Sequence, residues 1–208
     1  MSFHLWLSLF AICLLGAMSP GPSLATVSKH TLAGGRLNGL AAAWAHSIGI
    51  GFYAFITVIG LAVVLHKSEL LFVTISLAGA SYLGYLGWKS LTSKGGIAST
   101  LEAGEAVSIA TSAKEGLLIS LLNPKIALFF IALFSQYVAV GNSISAKATV
   151  VITPLLVDGL WYTFITLILS SSMLFERLKK NGRIIDKLSG VILIALALRV
   201  VWQNVGYF

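Results

Sequence analysis

Charge is scarce in this chain: only 10% of its 208 residues are Asp, Glu, Lys or Arg, against 57% hydrophobic. A soluble domain averages about 25% charged residues. The apolar residues come in long runs rather than amphipathic stripes, and mean hydropathy is +0.93. Both features exclude a soluble helical core and point to a polytopic helical membrane protein. There is one cysteine, Cys13. It can form no internal disulfide and no cysteine-based metal site, and it reads as a small apolar filler. Proline is limited to four residues, and each sits within an apolar run. No low-complexity tract and no second domain is evident.

What charge there is has an arrangement. The net charge of +7 would imply nucleic acid only if the basic residues formed a patch. They fall instead in the gaps between apolar runs, which excludes nucleic acid as a partner and makes lipid the surrounding medium. Six spans are expected: about 3–33, 38–65, 70–91, 116–140, 146–174 and 185–202. About 20 residues cross a bilayer, so each is long enough. The gaps after spans one, three and five hold Lys29, Arg36, Lys89, Lys94, Lys114, Arg177, Lys179, Lys180, Arg183 and Lys187. The opposite side holds only Lys67 and Lys147. By the positive-inside rule both termini face away from the cytoplasm. Lys29 and His30 can also sit on the last turns of span one and snorkel, as can Arg199 near the end of span six. The run Phe3–Ala17 has no Lys or Arg before it, so it reads as a first membrane helix rather than a cleaved leader. The gap Thr92–Glu115, with Glu102 and Glu105, reads as a polar cytoplasmic loop, with room for a short surface helix.

Two spans are broken. Asn123-Pro124-Lys125 interrupts the fourth, and Ser19-Pro20-Gly21-Pro22-Ser23 the first. A charged side chain at a helix centre costs roughly 2.5–3.5 kcal/mol on insertion scales, so Lys125 within such a run points to a cavity. Asn followed by Pro is a helix start: Asn caps a free N–H, and Pro takes the first helical position, where no N–H is needed. Gly21-Pro22 reads the same way, with Gly the weaker cap and Pro20 stopping the helix before it. Each half-helix would offer its positive end and unpaired N–H groups to one cavity, an arrangement suited to a carboxylate. A packed proline kink with Lys125 snorkelling is the plainer alternative. Three spans before the long loop and three after it, with a break in the first of each set, point to two inverted repeats. The layout is an all-α membrane protein with one transporter domain over 1–208. The first repeat covers about 1–91, the loop 92–115 and the second repeat 116–208.

Asp158 is the only carboxylate deep within an expected span. Trp161 and Tyr162 follow at i+3 and i+4, on the same helical face. Asp158 is free to ion-pair with Lys125 as a latch, to bind a substrate ammonium, or to carry a coupling proton; function is the default reading for an acid inside a membrane. Pro154, one turn earlier, adds a kink. His46 in span two is either a buried neutral imidazole or a cavity group. Gly49 and Gly51 after it permit close helix contact, and Gly79, Gly84 and Gly87 in span three read as packing. Small-residue faces of this kind suit a homodimer as well as internal packing.

The ordered set of motifs resembles the LysE/RhtB family of amino-acid exporters. Its carriers are Ser19-Pro20-Gly21-Pro22, then Gly35-Arg36, then Ala80-Ser81-Tyr82-Leu83 with Gly87. Leu121-Leu122-Asn123-Pro124-Lys125 with Phe129 follows, then Phe134-Ser135-Gln136-Tyr137 and Val157-Asp158. The resemblance spans nearly the whole chain. It implies a bacterial inner-membrane exporter of amino acids or related metabolites, driven by protons, with Pro20, Gly21, Pro22, Asn123, Pro124, Lys125 and Asp158 matching the family pattern. Many members carry an acid just after the span-two glycine, where this chain has Ile50. Either His46 one turn earlier substitutes for it, or the cavity is less polar. No cofactor is implied. Efflux of a metal ion or another small solute on the same scaffold is the alternative. One Cys, three Met and one deep Asp are a poor ligand set for a metal. Ser19, Ser23 and His46 have no spacing that would make the chain an enzyme.

Overall fold

The computed structural model describes residues 1–19, 21–93, 105–135, 137 and 143–204. Pro20, Lys94, Glu102 and Gln136, named above, lie outside the described residues, as do most of the long loop and the side chains of Arg177, Lys179 and Lys180. The described chain is all helical, with no strand among the described residues. Seven helices run in order: α1 Phe3–Met18, α2 Pro22–Lys67, α3 Glu69–Leu91, α4 Ile109–Leu122, α5 Pro124–Ser135, α6 Ile144–Leu169 and α7 Ser172–Asn204.

Among the described residues, three stretches are long and apolar enough to cross a membrane: Pro22–Gly60, which contains the break at Gly35, Glu69–Leu91 and Ile144–Leu169. A fourth is the pair Ile109–Leu122 and Pro124–Phe134, bent by 54° at Asn123. α1 is a shorter apolar helix of 16 residues. Its end is dictated locally. Ser19 precedes a proline and is driven to extended backbone, φ −65° and ψ 121°, because the ring of Pro20 crowds an α conformation there.

The boundary expected between spans one and two, from about residue 33 to 38, is found: α2 divides into two helices at Gly35, whose backbone is not helical. A Cβ on Gly39 would fall on Thr31 Oγ1, so the chain turns back there. Gly35 sits at φ 80°, a region that favours glycine because it has no Cβ. Hydrogen bonding resumes on both sides of that one residue, so the turn needs no loop. The fourth run starts earlier than Gly116. α4 begins at Ile109, where the Ser108 side chain accepts from the Thr111 N–H at 3.1 Å, so the loop's last residues are helical.

α2 packs along α4 and α6, α3 along α7, and α1 against α6. These lines of contact are close because glycine lies on them. A Cβ on Gly116 would fall on the Ala42 carbonyl oxygen, and one on Gly49 would fall on Ser120 Oγ. Gly87 and Gly190 face each other across α3 and α7: a Cβ on either would lie 2.8 Å from the other's carbonyl oxygen. Packing of backbone on backbone is how helices associate where the hydrophobic effect gives little between them. The outward faces are apolar too: Phe52, Phe55, Leu160, Phe164 and Leu198 are all exposed.

A polar network ties the first part of α2 to α4. Glu115 Oε2 accepts from Lys29 Nζ at 3.0 Å and lies 3.0 Å from His30 Nε2. His30 Nδ1 lies 3.1 Å from Ser112 Oγ, which accepts from Asn38 Nδ2 at 2.9 Å. His30 therefore does not snorkel. It is buried between two helices, because Glu115 and Ser112 satisfy both ring nitrogens there.

Candidate functional site

The two breaks meet. Lys125, in the first turn of α5, donates from Nζ to the Ser19 carbonyl at 3.1 Å and to Ser19 Oγ at 2.8 Å. The cation thus sits at the C-terminal end of α1, where the helix dipole is negative. Asn123 caps α5: its Oδ1 accepts from the Lys125 N–H at 3.0 Å, and Pro124 takes the first helical position. Its other side-chain atom, Nδ2, reaches Ser23 Oγ in α2 at 3.5 Å. Asn123 is buried and Lys125 partly so.

The two half-helix starts are not equivalent. In α5 the first-turn donors are used: Lys125 N–H by the Asn123 side chain, Ile126 N–H by the Asn123 carbonyl at 3.0 Å. In α2 the cap is Gly21, which has no side chain to accept. No side chain caps this start, and the residue one turn before Leu24 is Pro20, outside the described residues. The uncapped start therefore belongs to α2, and Lys125 supplies the charge beside it. A Cβ on Gly21 would lie 3.4 Å from Lys125 Nζ.

Across the same space stands an acid. Asp158 Oδ2 lies 2.8 Å from His46 Nδ1, and both residues are buried. Of the roles open to Asp158 in the sequence, the partner it takes in the structure is His46 of α2, while Lys125 turns to Ser19. Tyr162 sets its ring edge-on to the imidazole, 5.2 Å between centroids and 78° between planes. Its hydroxyl donates to the Ala17 carbonyl at 3.4 Å.

One cavity joins these groups. Ser19, Gly21, Pro22, Asn123 and Lys125 line one part of it, and His46, Asp158 and Tyr162 another. Ile50, Ile126, Phe129, Phe130 and Leu193 form an apolar wall. About 50 Å³ is open to the centre of a water molecule, room for roughly four waters. A cation beside an uncapped helix start at one end, a carboxylate–imidazole pair at the other and an apolar wall between can hold a small molecule of matching polarity.

Three residues singled out in the sequence do not line this space. Gly49 packs on Ser120. Pro124 is exposed and acts by starting α5. Trp161 turns to Phe164, 5.8 Å between ring centroids, because i+3 and i+4 from Asp158 differ by about 100° around the helix and the cavity takes only the Tyr162 side. Cys13 is more than filler, since it lines the cavity with Gly16 and Ala17 of α1. The apolar wall was not anticipated. Of its residues on α5 only Phe129 was singled out, as part of the motif that begins at Leu121, and it follows Lys125 by one helical turn.

A family model described as LysE type translocator matches residues 14–204. The chain belongs to the LysE-type translocator family. It is therefore a multi-pass membrane protein of an exporter family, not of an enzyme family. Among its relatives is a leucine efflux protein of Salmonella typhimurium, 31% identical over 193 residues and covering 87% of each chain. An uncharacterized membrane protein of Bacillus subtilis, YrhP, is 28% identical over 205 residues, covering 94% of this chain and 98% of its own. The uncharacterized membrane protein YahN of Escherichia coli is 26% identical over 203 residues, covering 97% and 90%. No solved structure matches the chain.

Proposed function

We propose that this LysE-type translocator exports a small neutral amino acid with an apolar side chain across the bacterial inner membrane. The observation that carries this reading is the single cavity between the two helix breaks. A zwitterion fits its charges. The carboxylate lies against Lys125 and the uncapped start of α2, and the ammonium lies toward Asp158. The side chain lies on Phe129, Phe130 and Leu193. The leucine efflux relative supports the same class of cargo.

The transport cycle is alternating access by two inverted repeats of three spans, coupled to protons. The reciprocal contact of Gly87 and Gly190 supports the repeats, since it relates the third span of one half to the third of the other. So does the parallel construction of the breaks, each a short apolar helix followed by a Pro-started one. The cavity is too small for an amino acid as it stands, so substrate binding requires the helices to part. Both termini lie on the non-cytoplasmic side, in keeping with the distribution of Lys and Arg.

The test is efflux from cells preloaded with a labelled amino-acid mixture, comparing the wild type with an empty vector, with and without a protonophore. Faster loss of one or a few neutral amino acids, stopped by the protonophore, is the expected result. Equal loss from both strains for every amino acid, with the protein present in the membrane, would refute the reading.

A further inference from the structure

The hydrogen-bonding role left to the second ring nitrogen of His46 follows from the His46–Asp158 contact. An ionised carboxylate only accepts hydrogen bonds. With an ionised Asp158 and a neutral ring, the 2.8 Å contact of Oδ2 with Nδ1 places the ring hydrogen on Nδ1 and leaves the lone pair on Nε2. Nε2 is buried and has no hydrogen-bond partner among the described residues. A buried acceptor left unmet is costly, and native structures rarely keep one without a reason. His46 lines the cavity, and the edge-on ring of Tyr162 holds its plane.

We propose that His46 Nε2 accepts a hydrogen bond from the ammonium group of the transported amino acid, with Asp158 behind the ring as a positioning residue. This rests on the amino-acid reading above and adds the contact that recognises the amine. Asp158 supplies the negative charge through the imidazole and sets its tautomer, as carboxylates do for other working histidines. The arrangement lets a neutral ring, rather than a bare carboxylate, meet the substrate. The amine then exchanges its hydration for a lone pair that is otherwise unpaired.

The experiment compares ligands that differ only in the amine. Thermal unfolding of the purified full chain in detergent, read from its five tryptophans, is measured against leucine and 4-methylpentanoate, and against alanine and propanoate. A ligand that binds the folded state raises the midpoint in proportion to its affinity. In the wild type the amino acid is expected to bind at least about tenfold more tightly than its deaminated partner. In His46→Leu that ratio should fall to near one. In His46→Gln, whose amide oxygen can accept, part of it should return. In Asp158→Asn it should also fall, since an amide N–H donating to Nδ1 moves the ring hydrogen to Nε2 and turns the acceptor into a donor. A purely structural role for His46 would weaken both ligands alike and leave the ratio unchanged, which would overturn the inference while the exporter reading stands. A wild type that binds the amino acids no better than their deaminated partners would overturn it too. A wild type stabilised by none of the four would remove the amino-acid reading and this inference together.

Discussion

Lys125 Nζ donates to both the carbonyl and the hydroxyl of Ser19, at 3.1 and 2.8 Å, and so joins the second helix break to the first. The contact holds a cation beside the uncapped start of α2. Lys125→Met removes the charge and keeps most of the length. Transport is expected to fall at least about tenfold, the loss that follows when a charge-assisted contact to substrate is removed. Thermal stability should move much less, because a desolvated ammonium contributes little net stability. Efflux and melting measured on the same preparations check both halves of the prediction.

Gly21 leaves α2 without a side-chain cap, and its backbone at φ 169° is extended, open to any residue. Gly21→Asp would place a carboxylate at the helix start and next to Lys125, taking the position assigned above to the substrate's own carboxylate. The variant is expected to be more stable by a few tenths of a kcal/mol, the gain of a side-chain N-cap over glycine, and inactive in efflux. A variant that is both more stable and fully active would show that the substrate does not use this end of α2.

Asn123 caps α5 and also reaches Ser23. Asn123→Ala should cost about 1–2 kcal/mol of stability. Asn123→Asp keeps an acceptor for the Lys125 N–H and should recover most of that stability, yet it sets an anion beside the proposed anion site and should not recover transport. Melting curves and efflux separate the two effects.

Gly116 lies where a Cβ would strike the Ala42 carbonyl, whereas the nearest atom to a Cβ on Gly84 is 3.8 Å away. Gly116→Ala is expected to destabilise by roughly 1–3 kcal/mol through overpacking of α4 on α2. Gly84→Ala should be neutral or slightly stabilising, since alanine is the better helix former by up to about 1 kcal/mol. Urea or thermal unfolding in detergent reads both.

What could be read in the sequence was what local chemistry decides. Asn123-Pro124 and Gly21-Pro22 start helices by rules that involve only neighbouring residues, and both starts are found where expected. The pairing of His46 with Asp158 spans 112 positions and depends on how α2 meets α6, which no spacing within either run encodes. Lys125 was one of several partners open to Asp158 in the sequence, and Ser19 at the end of α1 offers the ammonium a carbonyl, a hydroxyl and a negative dipole at once. Ile126 and Phe130 look like any apolar residues of a membrane run, so the wall of the cavity, Phe129 apart, was hidden among residues facing lipid or core. The break between spans one and two was legible for the same local reason as the helix starts: Gly35-Arg36 opens the second span, and Gly35 is the non-helical residue between the two helices.

The central claim is that substrate binds between the two breaks, against Lys125. Counterflow in proteoliposomes tests it most directly: vesicles holding the purified protein are loaded with unlabelled leucine and diluted into labelled leucine. Labelled leucine is expected to accumulate transiently with the wild type and to stay at the level of empty vesicles with Lys125→Met inserted to the same extent. Equal accumulation by the two proteins would contradict the site, and no accumulation by either, repeated across the neutral amino acids, would contradict the cargo.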